Sequence, residues 1–118
     1  MIASTTPPSA SIDKNNLLRL LNGNNEMMDT VLHEIFQNIP ASLTEINSSI
    51  KNNDYLGVIT FAPRVKSAFF MLGEPQLALT FQAIEDYARM GEMSEVKYHF
   101  ETVFHETMVK INLIQEVA

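Results

Sequence analysis

Three His, fourteen Asp and Glu, and eight Lys and Arg are the reactive or charged side chains of this 118-residue chain; Cys is absent. Without Cys there is neither a thiolate nucleophile nor a disulfide. His99 and His105 are six residues apart, which places them about 120° apart around a helix. A metal-binding pair on one helix needs a spacing of three or four, and His33 is far from both in sequence. All three therefore read as surface or boundary residues. Glu85 and Asp86 are adjacent, so they leave a helix at different azimuths and do not form an acid/base pair. No glycine-rich phosphate loop, nucleophile elbow or zinc signature occurs. The expectation is a chain that is not itself an enzyme and that holds no metal or cofactor.

The elements that must carry these residues read as helices. Asp13 is a candidate cap for a short helix with Leu17, Leu18, Leu20 and Leu21, and Gly23 sits where a left-handed stop is cheap. Asn24 or Asn25 opens a long segment. Its apolar positions Met28, Val31, Leu32, Ile35, Phe36, Ile39, Leu43, Ile46 and Ile50 advance in steps of three, four and one, a helical stripe and not a strand. Pro40 lies inside that stripe, which predicts a bend near residues 36–40. Asn52-Asn53-Asp54 ends the segment, with Asp54 placed to cap the next.

The third segment runs from Tyr55 to Leu72, with Leu56, Ile59, Ala62, Val65, Phe69 and Leu72 expected on one face and Gly73 as its stop. Because adjacent residues lie about 100° apart, Phe69 and Phe70 cannot both point inward. Glu74-Pro75 restarts the chain with Pro at the first helical position. Leu77, Phe81, Ile84 and Ala88 form a fourth stripe that ends at Gly91. Ser94 is expected to cap a last helix carrying Val96, Phe100, Val103, Phe104, Ile111, Ile114 and Val117. Short loops between long amphipathic helices favour antiparallel neighbours. The reading is an all-α, antiparallel up-and-down four-helix bundle with a short extra N-terminal helix.

Composition bounds the rest. A chain of this length with 46% apolar residues makes one domain with one core. Residues 1–11, rich in Ser, Thr and Pro, read as a flexible leader and 12–118 as the bundle domain. The net charge of −6 argues against a nucleic-acid surface. No apolar run approaches the length of a membrane span, and the N-terminus lacks a signal-peptide pattern, so the expected location is cytoplasmic and without membrane contact.

One stretch remains, Ala62-Pro63-Arg64-Val65-Lys66-Ser67-Ala68-Phe69-Phe70-Met71-Leu72-Gly73. It resembles the signature A-H-x-L-K-G-S-x-x-x-L-G of histidine-containing phosphotransfer (HPt) domains. Ala62, Lys66, Leu72 and Gly73 match it, Val65 replaces Leu, and Ser67 stands where Gly is usual. Ile84-Glu85 takes the place of a downstream L-E, and Phe36, Leu43, Ile46 and Asp54 fall on the upstream F…L…L…D pattern. The resemblance covers about residues 13–91 and implies the four-helix bundle, a response-regulator receiver domain or hybrid sensor kinase as partner, and a place in a two-component phosphorelay.

The departure from the pattern is at its centre. The phosphoacceptor His of the family corresponds to Pro63, whose nitrogen is a main-chain amide with no lone pair for attack on a phosphoaspartate. The resemblance then implies docking without phosphate transfer. Thr60, Pro63, Ser67 and Phe70 share one side of a helix with Lys66 at its edge and Arg64 at the rim, the side on which the family meets its receivers. Two other readings stand beside this pseudo-HPt decoy or modulator: phosphotransfer through a different His, and a structural or regulatory bundle, including a sensor-kinase fragment, that no longer binds receivers. Pro63 is expected to kink a continuous helix; the alternative is a separate turn over residues 55–61 followed by a fresh helix.

Overall fold

The computed structural model describes residues 14–117, with side chains from Leu17 to Leu113. The leader and the Asp13 cap lie outside the described residues, as do the side chains of Ile114 and Val117. Five helices and no strand make up the described chain: α1 (Lys14–Leu20), α2 (Asn25–Lys51), α3 (Tyr55–Met71), α4 (Pro75–Arg89) and α5 (Met93–Val117). None of them is long and apolar enough to cross a membrane.

Local chemistry sets the boundaries. The Asn24 side chain accepts from the Met27 amide and caps α2, and Asp54 accepts from the Gly57 amide at 3.1 Å and caps α3. Pro75 occupies the first position of α4, where its missing N–H costs nothing. Each of the four turns between helices closes with the paired backbone bonds of a Schellman motif. After α3, for example, the Glu74 amide reaches the Phe69 carbonyl at 2.8 Å and the Gly73 amide reaches Phe70. Gly73 supplies the left-handed residue there, at φ 76°, and Asn53 does so after α2, at φ 53°. The last helix starts one residue before Ser94. The Glu92 carbonyl already accepts from Val96, so Ser94 belongs to the first turn and not to the cap.

Both internal prolines are carried within unbroken helices, Pro40 in α2 and Pro63 in α3. A separate turn over residues 55–61 is therefore not what forms. The apolar stripe continues in phase across Pro63, so burial of Val58, Ala62, Val65 and Phe69 holds the helix together where one backbone bond is missing.

Helix α3 packs against α2 on one side and α4 on the other, while α5 packs against α4 and α2. One core of Leu17, Ile39, Leu43, Ile46, Phe69, Phe81 and their neighbours joins all five helices. Phe69 is fully buried, its ring 6.2 Å from that of Phe81, and Phe70 is 45% exposed, so the adjacent pair divides between core and surface as the helical period demands. Three apolar residues read into the helical stripes are outside it. Leu56 is 72% exposed, because the first turn of α3 carries it to the side opposite Val58 and Ala62; Phe104 is 40% exposed beside a shallow pocket with Asn47. In α1, Leu20 likewise points outward while Leu17 enters the core.

Candidate functional site

Along α3 the positions Leu56, Thr60, Pro63, Ser67 and Phe70 advance by steps of four, three, four and three, one line about 21 Å long at 1.5 Å per residue. All are exposed except Pro63, which is half-buried. Thr60 turns its hydroxyl back onto the Leu56 carbonyl at 2.8 Å, so the methyl is what the line presents to solvent. A leucine side chain, a methyl, a saturated ring and a phenyl thus form an apolar ridge interrupted by the small Ser67. Leu56 was not expected in this line. The signal for it was its place seven residues before Pro63, at nearly the same azimuth; its apolar character had assigned it to the core.

The two cations expected at the edge stand on opposite flanks. Lys66 is half-buried on the α4 side and donates to the Gln82 side-chain oxygen. Gln82 in turn donates to the Asp86 carboxylate at 2.9 Å, which fixes the amide so that its oxygen meets the ammonium. Asp86 is exposed, whereas neighbouring Glu85 is buried and holds Arg89 at 2.8 Å, so the two adjacent carboxylates serve separate contacts. The Lys66–Gln82 and Phe69–Phe81 contacts set an antiparallel register between α3 and α4. By that register Phe70 comes level with residues 78 to 80 of α4, among which Leu79 is 55% exposed.

Arg64 lies on the α2 side with its guanidinium 4.9 Å from the centre of the Phe61 ring, a cation–π contact that holds the side chain against its own helix. Arg64 and Ser67 form one rim of a groove of about 530 Å³ between α2 and α3. Its floor is apolar (Ile35, Ile39 and Ala68), and Glu34 and Glu45 stand on the opposite rim. The groove was not foreseen, because it depends on how far α2 and α3 stand apart.

The histidines remain scattered. His33 and His105 are exposed, and His99 is half-buried with Nδ1 2.8 Å from the Glu95 carbonyl and its ring against Tyr87. Among the described residues no three His, Asp or Glu side chains gather as metal ligands would.

No protein-family model matches the chain, and neither a curated protein nor a solved structure matches it.

Proposed function

We propose that this chain is a pseudo-HPt protein: an antiparallel four-helix bundle of α2–α5, extended by α1, that docks a response-regulator receiver domain through α3 and cannot take up its phosphoryl group there. The observation that carries the reading is the uncharged line Leu56–Thr60–Pro63–Ser67–Phe70, exposed on either side of half-buried Pro63, which stands where the resemblance asks for a nucleophilic imidazole. Phe70 is the aromatic anchor of that surface, a residue type enriched at the cores of interfaces. Lys66 and Arg64 flank the line, Lys66 at the position where the resembled family places a lysine near the phosphoryl group. A protein of this kind competes with a phosphorylatable partner for the receiver and so damps or diverts a relay.

A structural or regulatory bundle is the rival reading, and one contact favours it: the hydrogen bond of Lys66 to Gln82, which spends that lysine on joining α3 to α4. Titration against the receiver domains encoded by the same genome separates the two. The docking reading expects at least one receiver to bind, and Phe70→Asp or Lys66→Glu to weaken binding about tenfold or more while helicity is retained. It also expects no acid-labile phosphate on the native chain after incubation with a phosphorylated receiver. Binding to no receiver at all, or label on a native histidine, defeats it. Pro63→His adds a direct readout, since phosphate acceptance by that variant requires a surface that still engages the receiver.

A further inference from the structure

The groove between α2 and α3 shares Arg64 and Ser67 with the docking face, and on its α2 side it has a chemistry of its own. On its α2 rim Glu34, Ala41 and Glu45 are exposed. Glu34 and Glu45 are eleven residues apart, about 16 Å along the helix and within about 20° of the same azimuth. Neither forms an ion pair among the described residues. Small Ala41 between them leaves the trough clear. Below lie buried Ile35, Ile39 and Ala68, and across it stands Arg64, steadied by the Phe61 ring.

We propose that this groove receives an amphipathic helix of a partner protein, with basic side chains along the edge that lies against α2. Three features argue for that occupant. The trough is half open to solvent and its α2 rim runs about 16 Å between Glu34 and Glu45, a form that suits an elongated occupant. A helix lying along two others covers such a trough with an apolar stripe while its edges stay in water. The carboxylates at the two ends of the α2 rim, in a chain of net charge −6, complement a basic edge and draw it in by long-range attraction. On the far edge Arg64 meets a carboxylate or a neutral polar residue of the same helix.

The probe is a synthetic leucine-striped helix with lysines along one edge, fluorescently labelled and titrated with the full chain by anisotropy at physiological salt. Binding is expected, weakened about tenfold or more by the double variant Glu34→Lys/Glu45→Lys. Ala41→Trp fills the middle of the trough and is expected to weaken it similarly. Glu92→Lys/Glu106→Lys changes net charge by the same amount at exposed sites elsewhere and is expected to stay within about twofold of the native chain. Circular dichroism checks that each variant folds. The proposal is overturned by an absence of binding, by equal losses in the two charge-reversal pairs, which would mean attraction to net charge alone, or by an Ala41→Trp variant that binds normally. These variants lie on α2, in the turn before α5 and on α5, and they leave every residue of the α3 ridge unchanged, so this proposal and the receiver reading can fail separately.

Discussion

A proline nitrogen bears no hydrogen, so the Ile59 carbonyl in the middle of α3 has no backbone donor four residues on, and the ring of Pro63 crowds it. The same covalent fact leaves position 63 without a nucleophilic side chain and weakens a helix. Pro63→Ala restores the donor and is expected to raise unfolding free energy by about 1–3 kcal/mol, seen as a higher denaturant midpoint with unchanged slope. No gain would mean that α3 has already redirected that carbonyl to another partner. Residue types and their chemistry were legible here without coordinates: the proline at position 63, the division between Phe69 and Phe70, and the separate azimuths of Glu85 and Asp86 all follow from composition and a 100° step. What Lys66 does was not legible, because its partner Gln82 is sixteen residues away on another helix.

Helices and their ends were legible for a related reason: period, capping residue and stop residue are local signals. Asp54 and Pro75 act where their chemistry requires. Misplacements fell on Leu20, Leu56 and Phe104: Leu56 is turned outward by its own helical azimuth, away from Val58 and Ala62, whereas Phe104 stands at the margin of its stripe, where the neighbouring helix decides exposure. Gly57 shows the same dependence in reverse. Helix propensity favours Ala over Gly by about 1 kcal/mol. Yet a Cβ at position 57 would fall on the Ser49 hydroxyl and lie 2.9 Å from both the Ser49 Cβ and an Asp54 carboxylate oxygen. Ser49 is buried on α2, and rotating its hydroxyl does not move its Cβ. Gly57→Ala is therefore expected to destabilise the fold by about 1–3 kcal/mol despite its better propensity. Adding Ser49→Gly should recover part of the loss, so that the double variant is more stable than the sum of the singles predicts. A stabilised Gly57→Ala protein would show that α2 and α3 separate at little cost at this end.

At the scale of the whole molecule the helices are tied at both ends by contacts between residues thirty-six apart, beyond the reach of any periodic pattern. At one end the Tyr55 hydroxyl donates to the Gly91 carbonyl at 2.9 Å, joining the start of α3 to the turn before α5. At the other, Lys110 of α5 meets Glu74 at 3.0 Å, with only 10% and 14% of the two side chains exposed. Glu74 precedes α4 without capping it; its carboxylate is turned to Lys110 instead. Removing one partner of a nearly buried ion pair leaves the other charge desolvated and alone, whereas replacing both by apolar residues removes the need for either. Lys110→Met and Glu74→Gln are each expected to cost about 2–4 kcal/mol in chemical denaturation, somewhat below the full cost for a completely buried pair because water still reaches both groups. Lys110→Met/Glu74→Leu is expected to lie closer to the native protein than either single variant. If the singles cost little and add, the pair is only a surface bridge, and α5 is held by its apolar residues alone, Val96, Phe100, Val103 and Ile111. If the coupling is large, the clasp fixes α5 against the turn between α3 and α4, the turn that follows Phe70 at the end of α3.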